Sequence, residues 1–487
     1  MPVSCRMIAS FFRNSSHPQC FVDSVAPLPP PLSAEDSVAP RVDLEGPAGM
    51  RGGAVSGVQA FPLLCTLALG LACFVNTIDF NYGYTNGEDH VGLDWQVVVK
   101  LIVAAACSGL GAIGVLMSAQ VRQSLASVPG CIIVALAGVL ILSSAVALEE
   151  AKTVSRVASL VNFGYVMFVP TVLTVLGLRR IVLICLLALV ANLMINWVLY
   201  LGFPQSGIFE EELLGNHIAR RMGGLGHPNS IARTGVLAGV LSLSMLRSAD
   251  LTPRFPLGRS VLIGIIVVAL MTMLATFSRT ACVAGLAAAG FLLLDKIFTR
   301  NGLVLAGSLI ALATITIVAT ELVTGGGVLG DSLISMTTKT GEVSELTSAT
   351  GRTAIWAEAV RLISERPLTG YGLNSAPFMM KEFSLHPHNL LLHAMISGGI
   401  LAGLLTMCLV AWNFFFGLIS DEPLVRAISV YVLVSGIFED TVLDTFASPS
   451  TLLWLIVMIY PSIRVLSARM SRRPQPAVPE PRFLPSA

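Results

Sequence analysis

Charge is what this sequence has least of. Only 12% of its 487 residues are Asp, Glu, Lys or Arg, against roughly 25% in an ordinary soluble domain. With 54% hydrophobic residues, that scarcity excludes a usual soluble enzyme and a disordered chain alike. An excess of one sign is missing too: 30 Lys and Arg face 29 Asp and Glu, so nothing points to nucleic acid. The nine cysteines make no Cys-x-x-Cys pair and no His/Cys ligand spacing. They read as small side chains facing lipid or core, not as a redox or zinc motif. The first twenty residues lack a long apolar core, so they are not expected to be a secretory signal. No ATP-binding pattern occurs.

What is present is a series of apolar stretches near the length that crosses a bilayer. They fall at 61–79, 95–118, 128–148, 157–178, 181–202, 230–247, 260–277, 280–295, 302–321, 388–417, 427–445 and 449–466. The expected fold is all-α, a polytopic membrane helix bundle of about 12 transmembrane helices. Residues 1–58 are polar and Pro-rich, as in Pro27-Leu28-Pro29-Pro30-Pro31, and are expected to form a disordered cytoplasmic tail. Residues 59–321 are expected to hold helices one to nine, 322–387 a long periplasmic loop, and 388–466 helices ten to twelve. Residues 467–487 are expected to form a second disordered cytoplasmic tail.

Orientation follows from the basic residues of short connections. Arg122, Arg179-Arg180, Arg247, Arg254, Arg259, Lys296, Arg300, Arg426 and the C-terminal arginines all fall on one side. That side is taken as cytoplasmic, with both termini inside. The opposite connections, which include Gly202–Asn229, the Ser278–Thr280 turn and Glu321–Pro387, then face outward. Within the last of these, Ile355, Ala359, Leu362 and Ile363 recur at helical spacing. This predicts an amphipathic helix lying on the membrane face. Pro367 ends it, and Gly370-Tyr371-Gly372-Leu373-Asn374 makes a turn.

Charge at these outer ends costs free energy in a bilayer and so needs a reason. Arg220-Arg221 precede a Gly-rich run to His227-Pro228-Asn229, and Arg233 sits one turn into the next helix. A guanidinium offers a planar fork to phosphate oxygens; for either neighbour the plainer reading is a snorkelling interface residue. Arg279 stands between two apolar runs with no other charge nearby, as a cavity-facing anion ligand would. Arg352 and Trp356 open the amphipathic helix, where a headgroup phosphate or a sugar face could meet them. His388-Asn389 begins another apolar helix. A neutral imidazole there can accept a proton from an alcohol near pH 7. His386, His388 and His393 lack the spacing of a helical zinc site, so no metal is expected. Glu439, Asp440 and Asp444 lie near the outer end of a late helix, with Glu439 the preferred partner for one of the arginines. Such a set suits a donor carrying a pyrophosphate and an acceptor carrying a hydroxyl.

At these residues the chain resembles the bacterial O-antigen ligase/polymerase family of membrane glycan transferases. The resemblance rests on Arg220-x-x-Gly223 with His227-Pro228-Asn229, on Ser278-Arg279, on Gly351-Arg352 with Trp356, Pro367 and Gly370-x-Gly372, and on His388-Asn389 with Gly399. It implies transfer of a glycan from undecaprenyl pyrophosphate to a hydroxyl, on the lipid A core or another glycan, at the periplasmic face of the bacterial inner membrane. It further implies a metal-independent, inverting reaction without a cofactor. His388 matches the family's essential histidine. Arg279 and Arg220 match arginines placed around the pyrophosphate. Arg352, Arg233, Arg221, Asn389 and Glu439 complete the candidate binding set from their positions alone. Membrane lipid is an expected partner, and the tails are available to other polysaccharide-assembly proteins. A transporter of lipid-linked glycan or solute is the competing reading. The one-sided clustering of charge argues against it, because transporters bind near the midplane. A non-catalytic scaffold would leave Arg279 and His388 unexplained.

Overall fold

The computed structural model describes residues 55–79, 94–213, 217–247, 258–293, 352–418, 420–439 and 442–471. All of them belong to one unit, Gly46–Ala487. The chain is mostly helical. Seven helices among the described residues are long and apolar enough to cross a membrane, and Ala60–Val75, Arg279–Leu293 and Pro423–Phe438 are shorter apolar helices. This is a multi-pass membrane protein. The expected count of twelve includes 302–321, which lies outside the described residues, as do 1–54 and 472–487 of the two tails.

The bundle is built around one long run. Helices α1 (Val55–Val75) and α2 (Trp95–Met117) pack on α5 (Glu149–Gly202). At about 80 Å for its 54 residues, α5 is too long for one crossing. Gly177, at φ 72°, breaks it just before Arg179-Arg180, so its halves match the expected spans 157–178 and 181–202. Apolar burial drives little association between helices already in lipid; close packing of small residues does more. A Cβ on Gly111 of α2 would lie 2.7 Å from the Phe168 backbone nitrogen of α5. α3 (Ala119–Leu125) and α4 (Val128–Ala145) follow, with Ser118 and Ser127 accepting bonds from Val121 and Gly130 as N-caps.

Two expectations need correction. The connection Gly202–Asn229 contains an antiparallel hairpin, β1 (Ile208–Leu213) paired with β2 (His217–Met222). The fold is therefore not purely helical. The amphipathic helix exists, as α9 (Arg352–Glu365), but its apolar face is covered by protein. Ala359, Leu362 and Ile363 are buried in a cluster with Tyr371, Met380 and Ile396. α9 packs on α10 (Leu390–Trp412), which offers a fixed apolar surface where lipid would offer a fluid one.

That docking depends on a kink. Gly398 and Gly399 leave helical geometry inside α10. The Ile396 and Ser397 carbonyls, freed from the helix by the kink, accept bonds from Tyr371 (2.8 Å) and Gly372 (3.0 Å), and Ile400 donates to Pro367 (2.7 Å). Gly399 has φ 72°, and a Cβ there would come within 2.4 Å of the Leu368 oxygen. Only glycine satisfies both demands. Burial and a hydrogen bond to Glu365 push the Tyr371 phenol up to about 12. It stays protonated and donates to Glu365 at 2.9 Å, closing the turn back on α9.

The remaining helices assemble beside this unit. α6 (Pro228–Arg247) packs against α7 (Arg259–Thr276) and α8 (Arg279–Leu293), and α8 packs on α11 (Pro423–Phe438). α12 (Pro449–Ser471) returns along α5. Hydrogen bonds join the connections at two ends of the bundle. Gln120 bonds Ser467 at one end. At the other, Asp79 meets Leu225 and Arg366 meets Val146.

Candidate functional site

The arginine that opens α9, the histidine before α10 and the glutamate after α11 meet at one point. Glu439 Oε1 accepts from Arg352 Nη2 at 3.1 Å, and its Oε2 lies 3.2 Å from His388 Nδ1. The three come from positions far apart in the chain. They are brought together by the packing of α9 and α11 on α10. The Glu439 side chain is 10% exposed, Arg352 16% and His388 27%. A carboxylate this enclosed demands partners, and here both of its oxygens have one. Arg352 also lies over the Phe438 ring, 5.6 Å from its centre.

The backbone around His388 is held tightly. His388 has φ 48°, a left-handed conformation that costs a non-glycine residue about 1 kcal/mol or more. Trp356 Nε1 donates to the Pro387 carbonyl at 3.1 Å on one side. On the other, Asn389 caps α10 by accepting from Leu392 at 3.0 Å and donates to the Ile437 carbonyl at 3.0 Å. Asn389 thus works as a clamp between α10 and α11. His393, one turn on, is buried with Nε2 3.3 Å from the Leu443 carbonyl. Among the described residues, no three His, Cys, Asp or Glu side chains gather as a metal site requires.

Beside this cluster lies a narrow cleft. Asn229 and Arg233 of α6 line it, with Ser278, Thr280 and Ala281 at the start of α8, and Tyr431, Ser435 and Glu439 from the α11 side. The first turns of α6 and α8 therefore both border it. Helix N-termini carry partial positive charge and unpaired N–H groups, which suit an anion. Arg233 adds a full charge. Glu439 is shared between cleft and cluster, so the cleft's anion-favouring wall adjoins the histidine.

The neighbouring arginines Arg220 and Arg221 separate. Arg220 is on the exposed face of β2 and pairs with Glu210 across the hairpin at 3.1 Å. Arg221 is buried; its Nε donates to the Thr276 carbonyl at 2.8 Å and its Nη2 to Asn229 Oδ1 at 2.9 Å. Arg279 is half-buried as the first residue of α8, directly after Phe277 and Ser278. Asp440 lies outside the described residues. The Asp444 carbonyl accepts from Asn162 at 3.0 Å, fixing the segment that follows the site.

Sequence reasoning missed Thr280, Tyr431 and Ser435. A signal existed for two of them. Tyr431, Ser435 and Glu439 recur every fourth residue, a polar stripe along one side of a mainly apolar helix.

Residues 264–407 match the model of a family described as O-antigen ligase. The match runs from within α7 to within α10, so it covers Arg279, Arg352, His388 and Asn389. Arg220, Arg221, Arg233 and Glu439 lie outside it. No curated protein matches the chain.

Proposed function

Taking residues 264–407 as an O-antigen ligase domain, we propose that the chain transfers a glycan from undecaprenyl pyrophosphate to an acceptor hydroxyl. The reaction takes place at the periplasmic face of the bacterial inner membrane, with both termini in the cytoplasm. The observation that carries this reading is the Glu439 carboxylate, shared between His388 and Arg352 beside a cleft suited to an anion.

The chemistry follows from the contacts. A carboxylate only accepts hydrogen bonds, so His388 Nδ1 carries the proton shared with Glu439 and Nε2 is left to take another. The acceptor hydroxyl gives its proton to Nε2 as its oxygen attacks the anomeric carbon of the donor's first sugar. The new glycosidic C–O bond forms while the sugar–pyrophosphate C–O bond breaks. Polyprenyl pyrophosphate leaves with the electron pair, and one displacement inverts the anomeric centre. Arg233, Arg279 and the N-termini of α6 and α8 stabilise charge that grows on the leaving group. Glu439 orients the imidazole and stabilises it once protonated, and Arg352 holds Glu439. No metal or cofactor enters these steps. The side assignment is supported by the Lys and Arg distribution and by the grouping of connections into two ends.

The test uses full-length protein in detergent with a synthetic undecaprenyl-pyrophosphate glycan, with and without a lipid A core acceptor. Wild type is expected to form a new glycosidic bond, and His388→Ala to lose at least about 10²-fold in rate while inserting normally. A ladder without added acceptor identifies a polymerase; a single shift requiring the acceptor identifies a ligase. Near-normal transfer by His388→Ala would overturn the role of His388. Flipping of the lipid-linked glycan without bond formation would favour the transporter.

A further inference from the structure

Arg221 is buried, and few cations among the described residues are. Its bonds link three separate segments: strand β2, which carries it; the last carbonyl of α7, at Thr276; and Asn229, in the first turn of α6. Two of those segments border the cleft. Asn229 lines it directly, and Thr276 leads through Phe277 into Ser278, which also lines it, and Arg279. Carbonyls at a helix end lack intrahelical donors, and Arg221 supplies one to Thr276. The next residue is the strained one. Phe277 has φ 49° and an exposed ring, so the turn that starts α8 is held in a conformation a bulky side chain disfavours. Such strain persists where surrounding contacts over-determine it. The Arg221–Thr276 bond is a contact adjoining that residue.

We propose that Arg221 is a positioning residue. It does not bind pyrophosphate; it locks the Thr276–Arg279 turn and Asn229 in register, so that the start of α8 and the start of α6 face the same anion. This rests on the transferase reading above, and it assigns Arg221 a role different from that of the cleft arginine Arg233.

The test is a double-mutant cycle on full-length protein, reading transfer rate against donor concentration together with thermal unfolding. Arg221→Ala should lower kcat/KM by about 10²-fold, the scale of a misplaced group. Glycine tolerates φ 49° without strain, so Phe277→Gly removes the need for a lock. Phe277→Gly alone should stay near wild type, and Arg221→Ala/Phe277→Gly should recover to within about ten-fold of it. A direct phosphate ligand would show no such rescue. If Arg221→Ala fails to insert, Arg221→Lys carries the cycle, because one ammonium cannot serve both acceptors in the guanidinium's geometry. A deficit that Phe277→Gly leaves unrelieved, or an Arg221→Ala variant as active as wild type, overturns the proposal. Absence of transfer by wild type under every donor condition would instead count against the transferase reading.

Discussion

Two arginine–glutamate pairs in this protein have the same length and opposite weight. Arg220–Glu210 and Arg352–Glu439 both close at 3.1 Å. The first pair's side chains are 73% and 54% exposed, the second's 16% and 10%. Water and salt screen the first, and pairs of that kind contribute about 0.2–1 kcal/mol. In the second, losing one partner strands a charge in a confined site, which costs roughly 3–5 kcal/mol. Distance alone does not rank these contacts; burial and connectivity do. The hairpin pair ends in solvent. The inner pair continues to His388, and so couples a structural contact to the group proposed to take a proton.

The largest expected effect tests that continuation. Glu439→Gln keeps the side-chain shape and the acceptor for Arg352. It removes the carboxylate proposed to fix the His388 tautomer. Loss of an orienting carboxylate costs roughly 10²- to 10⁴-fold in rate, and transfer should fall in that range with unfolding temperature little changed. Transfer within a few-fold of wild type would reduce Glu439 to a structural anchor and erase the contrast between the two pairs.

The next effect reaches the inner pair from a distance. Gly399→Ala would drive a methyl group to 2.4 Å from the Leu368 oxygen at a backbone angle alanine avoids. The Pro367–Gly372 turn must then move, and with it α9 and Arg352. A destabilisation of about 2–3 kcal/mol is expected from strain and overpacking together, measured by thermal unfolding in detergent, along with reduced transfer. Unchanged stability would mean that the kink is not what seats α9.

Much of this architecture was legible in the chain. Runs of about 20 apolar residues mark spans because a bilayer demands that length, and the stripe Ile355, Ala359, Leu362 and Ile363 marked α9 correctly as a helix. The stripe did not say what would cover it, since lipid and protein select the same apolar residues. Gly399 and the Gly370-x-Gly372 turn were visible separately. Their mutual docking was not, because it joins backbone to backbone and leaves no side-chain pattern. The hairpin escaped because Glu210-Glu211-Glu212 hides any alternation. Had β2 been recognised as a strand, its period of two would have sent Arg220 and Arg221 to opposite faces. One of them would then have been expected in solvent and the other inside. The Glu439–His388 contact spans 51 positions, and no local rule reaches across a fold to find it.

The smallest effect belongs to the outer pair. Arg220→Ala removes an exposed guanidinium whose partner, Glu210, remains hydrated. Thermal unfolding should shift by no more than an exposed pair allows, within about 0.5–1 kcal/mol. If Arg220 serves the donor from the rim, its charge acts by attraction over distance. The change then falls on KM for the pyrophosphate donor, by a few-fold, with kcat held. Such attraction is screened as ionic strength rises, so the KM difference should vanish in high salt. A loss of kcat that salt does not touch would place Arg220 among the groups contacting the reacting phosphate. Exposure would then be a poor guide to which arginine meets the donor.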